Sequence, residues 1–226
     1  MDSWMIKQTW EHLMFIHWEA EAETIRSLIP RELELDLFEG RAWVTILPFK
    51  VTHQRLRFFP ELPLLNHFLE LNVRTYVRYR GISGVYFFSL DANHPLAVMG
   101  AKAASLPFRL ANIEMGVHKE AIVFKSKRTF GNGKFSAVYE PLGKAAPLVP
   151  GSLDSWLLER YTLFSKWGTH LLRGDICHES WKVNSAKIKI LENTVAHVPL
   201  NEEPKLFHYS LKKEAFIFPL KKPLQE

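Results

Sequence analysis

Three polar residues that could line a pocket, Glu70, Asn72 and Arg74, stand at alternate positions in the segment ELNVRTYVRYRG. In a β-strand, alternate residues project from one face about 7 Å apart. If that face is buried, the three side chains must pair with one another or hold a ligand, because an unpaired buried charge is costly. The alternative is a solvent-exposed face, which we expect for Arg78 and Arg80 near the end of the strand. For the first three residues, the sequence leaves both interpretations open.

Two other segments carry side chains suited to binding or proton transfer. Arg160 and Tyr161 flank an apolar stripe in a predicted helix. An arginine there either pairs with a carboxylate, with Glu70 as one candidate, or contacts a substrate. His178 lies beside Trp181 in the segment HESW, and an imidazole titrates near neutral pH, which suits acid–base chemistry. A structural role for His178 is the alternative, since the sequence shows no partner for it.

The composition indicates one domain spanning residues 1–226, in which 47% of the residues are hydrophobic and 13% aromatic. Lys and Arg exceed Asp and Glu by 29 to 24, but the basic residues are scattered, so we expect no nucleic-acid partner. The single cysteine excludes an internal disulfide. No apolar run approaches the ~18 residues of a membrane span, and the N-terminus does not resemble a signal peptide. These features predict a cytoplasmic protein with no membrane partner.

The motifs of common cofactor and metal sites are absent from the sequence. It contains no GxGxxG, GxSxG or HExxH segment, and Asn132-Gly133-Lys134 is followed by Phe135 rather than by the Ser or Thr of a phosphate-binding loop. The ten histidines are dispersed along the chain. We therefore expect neither a metal nor a cofactor.

Apolar periodicity and turn signals predict the elements that position these residues. We expect strands over residues 12–20, 70–80, 85–92, 114–128 and 135–140, a hairpin over 33–51, strands between residue 178 and the C-terminus, and helices over 20–29, 96–105 and 153–167. Residues 141–151 are predicted to form a loop. Hairpins dominate and strands do not alternate regularly with helices, so the fold class is α+β with a mainly antiparallel sheet.

Six segments taken in order resemble the YqjF-like family of bacterial proteins. They are PRELELDLFEGRAWVTILPF, HFLELNVRTYV, GVYFFSLDANHPLAV, GAKAASLPFRLANIEM, LDSWLLERYTLF and RGDICHESW. The resemblance extends from about residue 10 to residue 190. It implies an acetoacetate decarboxylase-like fold, which is a cone-shaped antiparallel β-barrel with a few packed helices and an interior cavity.

The resemblance does not extend to the decarboxylase nucleophile. In the decarboxylase, a lysine within a Pro-Lys-Lys segment forms a Schiff base with the substrate. Here Phe108 stands in its place and Arg109 in that of the cationic neighbour. Phenylalanine has no amine, so Schiff-base decarboxylation is not expected. The resemblance also implies that Glu70 occupies the position of a carboxylate in the cavity.

The leading hypothesis is a protein that binds a small anionic or carbonyl-containing organic molecule in the barrel cavity. Arg74 or Arg109 would hold the anion, and Glu70 and Tyr161 would orient the molecule. The full set of predicted ligand-binding residues is Asn72, Arg74, Phe108, Arg109, Arg160 and Tyr161. One alternative is an enzyme in which Glu70 or His178 acts as general acid or base and Arg109 stabilises an oxyanion. The other is a structural or interaction protein with a filled barrel, and the oligomeric state is left open.

Overall fold

The computed structural model describes residues 3–61, 63, 66–103, 106–196, 198–200 and 203–223, with the side chains of residues 101–103 left out. In these ranges the strands are β1 (Ile6–Ala20), β2 (Glu34–Leu35), β3 (Ala42–Leu56), β4 (Phe68–Tyr79), β5 (Ile82–Ala92), β6 (Phe108–His118), β7 (Ala121–Arg128), β8 (Lys134–Pro147), β9 (Thr162–Trp167), β10 (His170–Cys177), β11 (Lys182–Asn193) and β12 (Leu206–Ile217). The helices are α1 (Ala22–Leu28), α2 (Pro95–Ala103) and α3 (Leu153–Leu158).

The strands pair in a closed ring. The order of neighbouring strands around the ring is β5, β6, β7, β8, β11, β12, β1, β3 and β4, and β4 pairs with β5 to close it. Outside the ring, β9 pairs with β5 and β10 pairs with β9. β10 also pairs with β12 through two residue pairs. Among the described pairings only β5–β6 and β5–β9 are parallel. The predicted α+β, mainly antiparallel class is confirmed.

The sheet carries apolar side chains on both faces and therefore has two cores. In β4, Leu71, Val73 and Val77 belong to one, which we call the first core. Phe68 and Tyr76 belong to the other, the second core, which α3 covers. Full burial of a large apolar side chain contributes about 1.5–3 kcal/mol. Both faces of β4 are thus held between apolar layers.

The predicted helix over residues 153–167 is correct only in its first half. Ser152 caps α3 by accepting a hydrogen bond from the backbone N–H of Ser155 at 3.2 Å. The helix ends at Glu159, whose φ of −81° and ψ of 66° are not helical. The following residues form β9, in which Leu163 pairs with Val85 of β5. The apolar residues of this segment fit a helix or a strand equally well, and pairing with β5 decides between them.

Two further boundaries differ from the sequence prediction. The predicted strand over residues 114–128 is a hairpin of β6 and β7, with Lys119 in the turn at φ 57°. Residues 141–147, predicted to be a loop, extend β8 and pair with β11. Proline is disfavoured within strands, so Pro141 and Pro147 favoured the prediction of a loop here. The predicted helix over 96–105 corresponds to α2, and residues 104–105 lie outside the described part of the chain.

Candidate functional site

The polar face of β4 is buried over its first half. Glu70, Asn72 and Arg74 are 7%, 5% and 9% exposed, whereas Arg78 and Arg80 reach solvent. The first three side chains share a face with Tyr76, a residue of the second core. The structure thus selects the buried alternative for the first half of the strand and the solvent-exposed alternative for its end.

Strand register places further polar residues beside this face. Thr45 of β3 lies directly opposite Arg74, and His17 of β1 lies opposite Thr45. On the other side, Leu90 of β5 lies opposite Asn72. Neighbouring strands are about 4.8 Å apart. A row of buried polar side chains therefore crosses β1, β3 and β4.

Arg74 is buried without a carboxylate partner among the described residues. Its guanidinium lies 5.7 Å from the ring centroid of Phe15 and 5.9 Å from that of Tyr76. Its Nε has no hydrogen-bond partner. The two other arginines in the buried set are paired, since Arg128 contacts Asp91 at 2.8 Å and Arg160 contacts Asp36 at 2.7 Å. Arg74 therefore presents a desolvated cation between two aromatic rings.

Glu70 favours its protonated form at neutral pH. Burial raises the pKa of its carboxyl group to about 8, assisted by the charge of Asp91 and opposed by a hydrogen bond with Asn72. The side-chain oxygen of Asn72 is buried and has no hydrogen-bond partner. The two residues thus offer a neutral carboxylic acid and an unused amide oxygen on the face that carries Arg74.

Arg160 belongs to an ion-pair cluster instead of facing an open site. Its Nη1 donates to Asp36 Oδ2 at 2.7 Å, and its guanidinium lies 4.3 Å from the ring centroid of Trp156. Asp36 also accepts a hydrogen bond from Arg78 at 2.9 Å. Arg160 thus pairs with a carboxylate, and that carboxylate belongs to Asp36 and not to Glu70.

Tyr161 and His178 lie beside Trp181, a residue of the second core. Their ring centroids lie 4.7 Å apart, and the His178 ring also contacts Trp181 at 4.8 Å. The Tyr161 hydroxyl donates to Glu159, and burial together with this contact raises the pKa of Tyr161 to about 12. Burial lowers the pKa of His178, and the charge of Arg74 contributes in the same direction. His178 therefore lies close enough to Arg74 to respond to its charge.

Arg109 is not brought together with Glu70 and Arg74. Phe108 and Arg109 are consecutive in β6, so their side chains leave opposite faces of the sheet. Phe108 pairs with Leu90 and packs against the second core, the side of Glu70. Arg109 is exposed, and the charges that act on it are those of Arg128 and Asp91.

Sequence reasoning missed a buried hydrogen-bonded pair of histidines next to Arg74. His17 Nε2 lies 3.1 Å from His208 Nδ1, although the two residues are 191 positions apart. The signal available in the sequence was the position of His17, which alternates with Leu13 and Phe15 on a strand buried on both faces. Its partner could not be identified without the pairing of β1 with β12.

Within the described ranges, no three His, Cys, Asp or Glu side chains gather in an arrangement that could hold a metal ion. The described helices include none that is long and apolar enough to cross a membrane.

The architecture is similar to the acetoacetate decarboxylase fold. Acetoacetate decarboxylase from Legionella pneumophila matches with a TM-score of 0.66 over 97% of this chain and 87% of that one, at 14% identity. An acetoacetate decarboxylase-like enzyme from Sphingomonas wittichii RW1 matches with a TM-score of 0.67 over 98% and 95%, at 10% identity. The enduracididine biosynthesis enzyme MppR complexed with pyruvate matches with a TM-score of 0.69 over 98% and 91%, at 9% identity. At these identities the likeness shows a shared fold.

The family is defined by sequence. Residues 7–214 match the model of DUF2071, a family described as an uncharacterized conserved protein, and the chain belongs to that family. The uncharacterized protein YqjF of Bacillus subtilis (strain 168) is 41% identical over 226 residues, which cover 97% of this chain and 93% of that one. The resemblance to the YqjF-like family and to the acetoacetate decarboxylase-like fold is confirmed.

Proposed function

We propose that the chain binds a small organic carboxylate at Arg74, on the buried face of β4. The observation that carries the proposal is the missing partner: Arg74 is the buried arginine without a carboxylate among the described residues, while Arg128 and Arg160 each have one. A buried cation of this kind opposes folding unless an anion joins it. A guanidinium binds a planar carboxylate through two parallel hydrogen bonds.

The neighbouring groups suit a carboxylate that also carries a carbonyl. With its pKa raised to about 8, the protonated Glu70 can donate a hydrogen bond to a carbonyl oxygen. The side-chain oxygen of Asn72, which has no partner, can accept one from a hydroxyl group. The rings of Phe15 and Tyr76 supply apolar contacts beside the guanidinium. A related structure of the same fold, MppR, was obtained with pyruvate, a small keto acid, and we extend that ligand class to this chain.

The proposed binding does not use a Schiff base, because Phe108 presents a phenyl ring on the face that carries Glu70. Arg109 is left out of the proposed site, since it is exposed on the opposite face. We include His178 in the proposed site, since the charge of Arg74 acts on it, together with Tyr161, whose ring lies 4.7 Å from that of His178. The proposed ligand is a small molecule, and we propose no nucleic-acid or membrane partner.

Pyruvate, acetoacetate and acetate at millimolar concentrations should raise the melting temperature of the wild-type protein. The rise should disappear in Arg74→Met, because the cation that holds the carboxylate is lost. Arg80→Met removes the same charge from the solvent-exposed end of the same region and should keep the full effect. Thermal-shift measurements on the three proteins, each compared with its own ligand-free value, decide the question. An equal rise in Arg74→Met would show that the carboxylates bind elsewhere.

The pKa of Glu70 also supports a catalytic alternative, in which Glu70 removes a proton next to the carbonyl of the bound keto acid. Such a base must be ionised, so its rate should increase with pH and level off above about 8. Exchange of the pyruvate methyl protons in D₂O, followed by NMR, measures this reaction. Glu70→Gln should abolish protein-dependent exchange while pyruvate still binds. If the wild-type protein does not accelerate the exchange, the chain binds the molecule without this chemistry.

A further inference from the structure

A continuous chain of five hydrogen-bonding side chains leads from the surface to Arg74. Asp154 Oδ1 lies 3.2 Å from His208 Nε2, and His208 Nδ1 lies 3.1 Å from His17 Nε2. His17 Nδ1 lies 2.8 Å from Thr45 Oγ1, which lies 2.6 Å from the Tyr76 hydroxyl. Each link is within hydrogen-bond distance. We call these five residues the histidine chain.

One end of the histidine chain meets solvent and the other meets the candidate site. The Asp154 side chain is 45% exposed, whereas His17, Thr45 and Tyr76 are fully buried. The Tyr76 ring packs against the Arg74 guanidinium. A change of charge at the buried end can therefore change the protonation of the whole chain.

The hydrogens of the chain can be placed by satisfying every group. The carboxylate of Asp154 can only accept, so His208 donates from Nε2 and accepts at Nδ1 from His17 Nε2. His17 Nδ1 then accepts from the Thr45 hydroxyl, and Thr45 accepts from the Tyr76 hydroxyl. Both imidazoles are neutral in this arrangement. Burial lowers the pKa of each of them, which agrees with the neutral state.

Two charged groups act on the imidazoles, with opposite effects. The positive charge of Arg74 on β4 lowers the pKa of His17, as does the neighbouring His208 on β12. Asp154 in α3 raises the pKa of His208. An anion bound at Arg74 neutralises the opposing charge and leaves the favourable one in place. The pKa of the histidine pair should therefore rise when the anion binds.

We propose that binding of a carboxylate at Arg74 is accompanied by uptake of one proton onto the histidine chain, which turns the Tyr76 hydroxyl toward the bound anion. This inference rests on the proposed function and specifies how the site recognises its ligand. With one added proton, His208 carries hydrogens on both nitrogens, donating to Asp154 and to His17 Nε2. The hydrogen of His17 then lies on Nδ1 and is donated to Thr45, whose hydroxyl donates to Tyr76.

The hydrogen count of this change balances. Four chain hydrogens in the free protein become five in the complex, and the added one comes from solvent. His17 passes its Nε2 hydrogen to His208 Nδ1 and receives the Thr45 hydrogen on Nδ1. Thr45 in turn receives the Tyr76 hydrogen, and the Tyr76 oxygen receives the added proton when the ligand enters. Because Tyr76 now accepts from Thr45, its own hydrogen is released from the chain and is available to the anion. When the histidine chain is neutral, the Tyr76 oxygen can only accept a hydrogen bond from a ligand. When the chain is protonated, the Tyr76 hydroxyl can donate one. The site therefore binds an anion and a proton together.

The first test needs no ligand, because Arg74→Met removes the same charge that a bound anion neutralises. NMR titration of the imidazoles of His17 and His208 should show their pKa values about one higher in Arg74→Met than in the wild-type protein. Arg80→Met is the matched control and should leave the titration unchanged. If the imidazoles titrate identically in the wild-type protein and in Arg74→Met, the inference is overturned, whether or not carboxylates bind at Arg74.

The second test measures the proton directly. Calorimetric titration with pyruvate at pH 6, repeated in buffers of different ionisation enthalpy, should show uptake of a fraction of a proton per molecule bound. Thr45→Val cuts the chain between His17 and Tyr76 with little change of side-chain shape, and uptake should fall to less than half. Tyr76→Phe should weaken binding by about tenfold. Binding through Arg74 with no proton uptake overturns this inference alone, whereas absence of carboxylate binding overturns the proposed function and the inference with it.

Discussion

Replacing Arg74 with methionine should stabilise the ligand-free protein by about 2 kcal/mol, although it removes the residue to which we assign anion binding. The reason is that folding buries a guanidinium for which the described chain supplies no carboxylate. A methionine side chain packs readily between the rings of Phe15 and Tyr76. For a chain of this size the melting temperature should rise by about 6 °C. Urea denaturation and calorimetry measure the two quantities.

Arg128→Met is the matched control, because it deletes a similarly buried arginine that does have a partner. Arg128 contacts Asp91 at 2.8 Å and donates to Ser89 at 2.8 Å. Its loss leaves a buried carboxylate without its cation and should lower the free energy of unfolding by about 3 kcal/mol or more. The two substitutions are chemically identical and should act in opposite directions. If Arg74→Met destabilises the protein as Arg128→Met does, Arg74 has a stabilising partner and the anion site is wrongly assigned.

Glu70→Gln should make the protein more stable at pH 8 and leave its stability nearly unchanged at pH 4. The pKa of Glu70 is about 8 in the folded protein and near 4.5 in the unfolded chain. Between these values the folded state holds the extra proton, so the free energy of unfolding falls as pH rises through this interval. The contribution of the protonated Glu70 is fully lost above about pH 8. The neutral amide removes this dependence. The gain should approach about 4 kcal/mol as an upper limit.

The measurement is the difference in unfolding free energy between Glu70→Gln and the wild-type protein at several pH values, because other titrating groups cancel in this difference. Glu34→Gln, at an exposed position of β2, should give a flat difference across the same range. A flat difference for Glu70→Gln as well would mean that Glu70 is ionised in the folded protein. It would then be available to neutralise Arg74, and both proposals would lose their basis.

Local sequence pattern predicted the polar face of β4 but not its burial. The alternation of Glu70, Asn72 and Arg74 follows from the two-residue period of a strand. Whether that face meets water depends on α3 and on strands distant in the sequence. The same limit explains the error at residues 153–167, where contact with β5 converts an expected second half of a helix into β9. Tertiary contacts overrode the local preference in both places.

Strand parity corrects one prediction once β6 is known to begin at Phe108. Phe108 and Arg109 were both expected in the cavity, yet consecutive residues of a strand face opposite ways. The carry-over of both positions from the decarboxylase segment was therefore inconsistent with their lying in β6. The roles assigned to Glu70, Arg74 and His178 remain predictions. The histidine chain was beyond sequence analysis, because it joins side chains of β1, β3, β4, β12 and α3.

The position of β12 in the ring has a consequence for how the protein is made. β1 lies between β3, which follows it closely in the chain, and β12, which is the last of the described strands in chain order. Until residue 217 has been synthesised, one edge of a 15-residue strand has no partner. An unpaired edge of that length invites pairing with other nascent chains. Because β12 also brings His208 to His17, the candidate site is completed in the same late step that removes this aggregation hazard.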